Sequence, residues 1–478
     1  MSYIQFLGAA GTVTGSKHLV NSVEDVTGRT GVQVLIDCGL FQGPKQWRER
    51  NWRDPSIPAA EIEAVILTHA HLDHSGWIPR LVKEGFKGPI YATPATVELC
   101  GIVLPDSGYL QEEDAYFHNK RKSSKHTPAL PLYTLEEAQE SLKLFKSVPF
   151  GDVVELGGGV SFRFVRAAHI LGSAMVELTM DVKGSQRTLL FTGDIGRLHQ
   201  TTGATPSTVI KENLPAKEHP DVLVTESTYG NRLHPAEDAR PKLCSIINET
   251  VARGGTVVVP SFAVERTQKF LFLLKELMEA GRIPRVPVYA DSPMGIKAVK
   301  VFLDHREEFN YETRNVVETY GSPLDWPGFH FALSPDDSKK INNNKFPSII
   351  LSANGMCMGG RIQHHLAQRL PEPKNTILFI GFQSPGTRGR QIRDGEPEVK
   401  IYGEIIPVRA HVETIDQFSD HADYGEILRW LHTFTGAPTV THVVHGEPES
   451  AEALRQKIEA ELHWKADVAA YTQKVEIE

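Results

Sequence analysis

The sequence is poor in cysteine. Its 478 residues hold four, Cys38, Cys100, Cys244 and Cys357, far apart and with no C-x-x-C pair. That excludes a disulfide framework and a thiolate zinc site, and leaves buried free thiols in a reducing compartment as the plain reading. Long apolar runs are missing too. The opening Met-Ser-Tyr-Ile-Gln-Phe-Leu-Gly lacks the basic start and apolar core of a signal peptide, so no membrane is implied and the cytoplasm is the expected location. There is no excess of positive charge: 51 Lys and Arg against 59 Asp and Glu give a net charge of −8. A generally basic surface is therefore excluded, and a nucleic acid would have to be held by a local basic groove or by metal ions. The Gly8–Gly15 loop fits neither G-x-G-x-x-G nor a P-loop, and G-x-S-x-G occurs nowhere, which removes dinucleotide, nucleotide-phosphate and serine-hydrolase chemistry.

What is present is an ordinary globular composition, 40% hydrophobic and 23% charged, at a length that suggests two to four domains. The first half reads as short strands between glycine-rich turns. Ala64-Val-Ile-Leu67 runs to Thr68, Val160–Val165 to His169, Thr188–Thr192 to Asp194 and Asp221–Thr225 to Glu226. In each case an ionisable residue stands where a strand leaves the core, which is where α/β enzymes gather their chemistry. From about 230 to 400 helices and strands alternate, as in a doubly wound α/β unit. Afterwards Thr441-His-Val-Val444 again ends on a histidine, His445. The expected organisation is a first domain over 1–229, an inserted domain over 230–405 and a return segment over 406–478, closing with a strand near Val468–Ile477.

Residues 68–76, Thr-His-Ala-His-Leu-Asp-His-Ser-Gly, place His69, His71, Asp73 and His74 within six positions. Two histidines two apart on extended backbone face one way. A helix opening near Asp73 turns that carboxylate and His74 toward a neighbouring position, a pattern that suits two ions rather than one. Imidazole and carboxylate are the usual zinc ligands, and burying such a cluster without metal would leave polar groups short of partners. His169, Asp194 and His445 are the further donors that a two-metal site needs.

Here the chain resembles a known family. Asp37 in Leu-Ile-Asp-Cys-Gly, the His69–His74 motif, His169 and Asp194 resemble the successive motifs of the metallo-β-lactamase fold. Glu226 in Thr-Glu-Ser-Thr-Tyr-Gly, His421 in Phe-Ser-Asp-His-Ala-Asp and His445 in Val-His-Gly-Glu resemble the additional motifs of the β-CASP nucleases. The resemblance implies a four-layer αββα sandwich with an inserted doubly wound β-CASP domain, and two Zn²⁺ per chain with Mn²⁺ as a substitute. It assigns His69, His71 and His169 to one zinc, Asp73, His74 and His445 to the other, and Asp194 to both. Asp37 orients the ligands, Asp73 is also counted with the catalytic residues, and Glu226 and His421 lie near the scissile phosphate with His421 the general acid. Ser261, Arg266, Arg388 and Arg390 are candidate substrate contacts, Arg266 otherwise a charge on a helix surface and Arg388 and Arg390 in a glycine-rich loop of the insert. One departure is Glu265, where the family often has glycine.

The implied reaction is hydrolysis of RNA in a cleft between the two domains by a hydroxide that two metals activate, leaving a 5′-phosphate and a 3′-hydroxyl. RNA is the expected partner, and a homodimer stays open. So does the choice between endonuclease and exonuclease action. Asn119–His126, the densest basic stretch, is read as a loop that either contacts RNA or is simply solvated. The competing readings are a small-molecule ester or thioester hydrolase of the same fold, a DNA-directed relative and a non-catalytic scaffold. The retained ligands speak against the scaffold, and His445 against the DNA branch.

Overall fold

The computed structural model describes residues 1–22, 31–52, 59–122, 126–197, 219–235, 237–262, 264–322 and 326–478. Among them, one compact unit takes the chain up to 197 with 219–233 and 421–478, and a second takes 234–420.

The first unit contains two seven-stranded sheets. One runs, in spatial order, Lys474–Glu476, Tyr3–Phe6, His18–Asn21, Gln33–Ile36, Ala64–Ile66, Ile90–Ala92 and Phe145–Ser147. The other runs Ala466–Val468, Val440–Val443, Val222–Thr225, Ser185–Phe191, Ala174–Val182, Val160–Arg166 and Val153–Gly157. Strand side chains alternate between faces, and here the alternation sorts residues between layers. Phe6, Val34, Ile36 and Ile66 share one core with Phe162, Val176, Leu178, Phe191 and Val224 of the other sheet. On the far face of the second sheet, Leu190, Leu223 and Val443 pack on Ile427, Leu431 and Leu454, which belong to helices Tyr424–Leu431 and Pro448–Lys457. On the far face of the first, Leu35 and Val65 are equally buried. This is the αββα metallo-β-lactamase architecture. The expected single strand near 468–477 is instead two, Ala466–Val468 and Lys474–Glu476, one in each sheet, because the turn between them carries the chain from one layer to the other.

The second unit is built on a six-stranded, all-parallel sheet in the order Phe329–Phe331, Val288–Asp291, Ser348–Ser352, Thr256–Pro260, Thr376–Phe379 and His411–Thr414. Val257 and Val259 face one core with Phe270 and Leu274 of helix Arg266–Glu279. Val258 faces another with Ile362 and Leu366 of helix Ile362–Arg369. Helices on both faces are what a continuously apolar parallel strand requires.

Two segments expected to be loops are helical. Asn119–Arg121 closes a 28-residue helix, Pro94–Arg121, while Ser123, Ser124 and Lys125 lie outside the described residues. Arg388 and Arg390 belong to helix Arg388–Arg393, whose first turn is fixed by the Thr387 hydroxyl accepting from the Arg390 N–H at 3.2 Å. A threonine cap outweighs the neighbouring glycines there.

Candidate metal centre

Parallel neighbours finish at the same edge of a sheet, and this gathers the site. Gln33–Ile36 and Ala64–Ile66 are parallel and deliver Asp37 and His69. Ser185–Phe191, Val222–Thr225 and Val440–Val443 are successive parallel strands and deliver Asp194, Glu226 and His445. The short helix Leu72–Ser75 then brings Asp73 and His74 beside His445, with the His74 ring packed 4.1 Å from that of His69. Several of these positions are strained. Asp37, Ala168 (just before His169) and His445 have φ of 60°, 62° and 47°, a region costing roughly 1–2 kcal/mol for residues bearing a Cβ. Such strain is found where function needs a fixed geometry. Gly193, beside Asp194, has φ 53°, and a Cβ there would stand 2.8 Å from Thr68.

One group of donors is His69, His71, His169 and Asp194, whose ligand atoms all lie within 4.8 Å of one another. His71 Nδ1 is 3.1 Å from His69 Nε2 and 3.2 Å from His169 Nε2, and Asp194 Oδ2 is 3.5 Å from both Nε2 atoms. A second group is Asp73, His74 and His445. His74 Nε2 lies 3.2 Å from His445 Nε2 and 3.2 Å from Asp194 Oδ1, and Asp73 Oδ2 lies 3.6 Å from His445 Nε2. Asp194 thus offers one carboxylate oxygen to each group. Tetrahedral zinc with bonds of about 2.0–2.1 Å needs its ligand atoms about 3.3 Å apart, the spacing found here.

Hydrogen bonds fix which ring nitrogens face inward. Asp37 Oδ2 accepts from His74 Nδ1 at 2.6 Å, and its Oδ1 accepts from the Thr68 N–H at 2.8 Å and the Thr68 hydroxyl at 2.9 Å. Having given its own proton to Asp37, Thr68 Oγ1 accepts from His69 Nδ1 at 3.0 Å. Lone pairs of His69 Nε2 and His74 Nε2 therefore point toward carboxylates and other imidazoles. Asp194 Oδ1 is buried without a hydrogen bond. Such a cluster demands positive charge. Burial alone would lower the His74 pKa, yet Asp194 and Asp37 hold it well above the usual imidazole value. Burial would raise that of Asp194, yet His445, His74 and His421 hold it well below the carboxylate range. Burial and the neighbouring His74 push His69 well down, so its ring stays neutral. Imidazoles packed around buried carboxylates that favour a proton on His74 fit a divalent cation taking that proton's place.

Beside this cluster, His421 Nδ1 is 3.2 Å from both oxygens of Glu226 and 3.9 Å from Asp194 Oδ2. Glu226 is wholly buried and is itself held by the N–H groups of Ile195 at 2.5 Å and Thr228 at 3.3 Å.

The sequence reading overlooked Thr68 and Thr228, whose hydroxyls meet His69 Nδ1 and His445 Nδ1. Each stands next to or two residues beyond an acid or histidine at a strand end, a signal too common to single out. The four expected substrate contacts all belong to the second unit. Ser261 is buried with its hydroxyl 3.0 Å from that of Thr267. Arg266, expected on a surface, is buried, with Nε 3.3 Å from Asp420 and its guanidinium over the Phe262 ring. Arg388 donates to the Lys400 and Cys357 carbonyls, and Arg390 to Asp394. Each guanidinium found a carboxylate, a ring or a carbonyl within its own unit. Glu265 has φ 66°, which is why a glycine suits that position.

The stacked sheets and their clustered donors define a metal-dependent hydrolase of the metallo-β-lactamase fold. Comparison with known proteins agrees. The metallo-beta-lactamase superfamily matches residues 26–202, the Beta-Casp domain 267–392, and the Zn-dependent metallo-hydrolase RNA specificity domain 405–469. Ribonuclease TTHA0252 of Thermus thermophilus is 36% identical over 94% of each chain. Transcription termination factor FttA of Methanosarcina mazei is 30% identical over 90% of this chain, which spans 66% of that longer protein. An RNase J-like protein of Methanocaldococcus jannaschii is 31% identical over 87% of each. A crystal structure of a protein of unknown function from Enterococcus faecalis shares the fold across 99% of both chains, with a TM-score of 0.51 at 12% identity. The chain belongs to the metallo-β-lactamase β-CASP ribonuclease family.

Proposed function

We propose that this protein is a zinc-dependent ribonuclease that hydrolyses RNA phosphodiester bonds. The observation that carries the reading is the double donor set sharing Asp194. His69, His71, His169 and Asp194 would hold one ion, and Asp73, His74, His445 and Asp194 the other, with Mn²⁺ a workable substitute. Bound divalent ions supply Lewis acidity, lowering the pKa of water and offsetting phosphate charge. The chain's own residues supply the rest. Asp37 and Thr68 hold the imidazoles in the tautomers that face inward. Glu226, anchored by two backbone N–H groups, accepts a hydrogen bond from His421 Nδ1–H and leaves Nε2 as the atom that donates a proton to the departing oxygen. RNA as the substrate is supported by the RNA specificity match and by the two relatives named as RNases. Four buried free thiols support action in a reducing cytoplasm, and among the described residues no helix is long and apolar enough to cross a membrane.

Cleavage of an end-labelled RNA, with and without a 5′-phosphate, tests the reading. Activity should vanish with a chelator, return with Zn²⁺ or Mn²⁺, and show in the product ladder whether cutting starts internally or at an end. Metal-replete protein that leaves RNA intact would overturn it.

A further inference from the structure

Arg197, Arg266 and Arg390 are each held by a carboxylate, of Glu426, Asp420 and Asp394 in turn. Arg50 is held differently. Its guanidinium carbon lies 3.8 Å from the centre of the Tyr471 ring and 5.4 Å from that of Phe41, and among the described residues it donates to no carboxylate or carbonyl. At that height it lies flat on the tyrosine, because an edge-on approach would drive a nitrogen into the ring. Stacking occupies the faces of the guanidinium and leaves its N–H groups free in the plane, the fork that grips phosphate.

These rings stand on the edge of the first unit where the metal donors gather. Ala466–Val468 runs parallel to Val440–Val443, so the turn that carries Tyr471 leaves the second sheet on the same edge as His445. Gln33–Ile36, parallel to Ala64–Ile66, leads on that edge to Asp37 and then Phe41. The two rings meet edge to face at 6.3 Å. Phe41 is fixed in turn. Asn51 accepts from its N–H at 2.9 Å and donates to its carbonyl at 2.7 Å, and Lys17 Nζ lies 4.8 Å from its ring centre. A Cβ at Gly15 would stand 2.5 Å from that ring. The same Gly8–Gly15 loop reaches the second donor group, where the Ala9 carbonyl accepts from the His445 N–H at 2.6 Å. Tyr471 is 36% exposed and Arg50 half-buried, so the guanidinium is held without being covered.

We propose that Arg50 binds a backbone phosphate of the RNA strand, one that flanks the phosphate at the metal centre, and that Tyr471 and Phe41 position it. This rests on the nuclease reading above. The charge balance carries the choice of ligand. In a chain of net charge −8, a guanidinium left without an acid on the metal edge is a local exception, and a local cation is what a polyanion needs from an acidic protein. Trp52, two residues farther on, is 51% exposed and adds an open ring of the kind on which unpaired bases stack. An acidic peptide would suit the same fork, but nothing would bring it to the metal edge, whereas a strand held there for cutting passes over it.

Anisotropy of a labelled single-stranded RNA across a salt series tests this, on metal-loaded full chain carrying His421→Ala so that the RNA survives. Arg50→Gln should weaken binding about tenfold and make the salt slope shallower by about 0.7, the share of one phosphate on a single strand. Arg50→Lys keeps the charge and should keep the slope, while losing part of the affinity with the fork. Tyr471→Phe should match the parent protein, and Tyr471→Ala should fall between it and Arg50→Gln. In cleavage by otherwise wild-type protein, Arg50→Gln should raise KM more than it lowers kcat. Unchanged circular dichroism and metal content show that the variants are folded. Two results would overturn the proposal: Arg50→Gln with the parent's affinity and slope, or a loss confined to kcat. Arg50→Gln that spares RNA but loses a labelled poly-glutamate peptide would assign the fork to an acidic protein segment and refute the RNA contact. Each of these leaves wild-type cleavage intact, whereas wild type that neither binds nor cuts RNA refutes the nuclease reading and this contact with it.

Discussion

Replacing Asp37 by asparagine separates holding a metal from being one of its ligands. The Asp37 carboxylate accepts on both oxygens, Oδ1 from the Thr68 N–H at 2.8 Å and Oδ2 from His74 Nδ1 at 2.6 Å. Asparagine has the same shape but a single acceptor oxygen. Whichever way its amide turns, an NH₂ faces either the Thr68 N–H or the His74 ring N–H, and one bond becomes a donor–donor contact. The backbone bond is fixed by the strand, so the cost falls on His74, whose ring must turn or change tautomer and withdraw Nε2 from its place beside Asp73 and His445. Loss of such an outer partner typically weakens metal affinity by about 10- to 100-fold, or about 1.4–2.7 kcal/mol. The group containing His69, His71 and His169 keeps its Thr68 contact and should lose much less. Competition of Asp37→Asn protein against a chromophoric zinc chelator should therefore show one weakened ion and one near wild type, with the metal-free melting temperature little changed. Equal weakening of both ions, or wild-type affinity at both, would refute the division of the donors into two groups anchored separately.

Other substitutions probe the remaining parts. His69→Ala or Asp194→Ala should strip metal and abolish RNA cleavage, whereas His421→Ala should keep its metal by elemental analysis and slow cleavage about 10²- to 10⁴-fold; equal metal loss in all three would contradict separate roles. In the second unit Asp291 is buried against His365 at 2.7 Å, Arg361 at 2.7 Å and Ser338 at 2.5 Å, and although burial opposes it these partners hold its pKa below the usual 3.8. The unfolded chain then binds this proton more readily, so the stabilisation is present above about pH 4 and fades as pH falls through the lower folded value. Asp291→Asn should flatten acid denaturation there and cost about 3 kcal/mol near neutrality, read by urea titration. Burial pulls Lys17 from 10.5 down to about 8, so between those values the unfolded chain carries the extra proton and stability rises with pH. Relative to Lys17→Met, wild type should gain up to about 3 kcal/mol across that interval, and parallel curves would dismiss the effect.

The clustering of the candidate donors was legible because a strand end followed by closely spaced histidines and an aspartate is chemically unusual whatever surrounds it. The alternation of Val257, Val258 and Val259 between two cores could equally be anticipated from a continuous apolar strand among helices. The fates of Arg266 and Ser261 could not. An arginine early in an amphipathic helix is written the same way whether it meets solvent, a phosphate or a buried aspartate, and Asp420 lies 154 positions away in the chain. Helix Pro94–Arg121 was hidden by its own sequence, with a proline inside it and aromatic residues on its open face, so that no single apolar stripe announced it. The support given by Thr68 was equally silent, since one hydroxyl among many is marked only by what it touches.

His445 reaches the site from Val440–Val443, which lies between Val222–Thr225 and Ala466–Val468 in the second sheet. While the protein is being synthesised, a growing chain can carry His69, Asp194 and Glu226 and still lack the donor that completes the second group. The second group therefore closes only once Val440–Val443 has paired with Val222–Thr225.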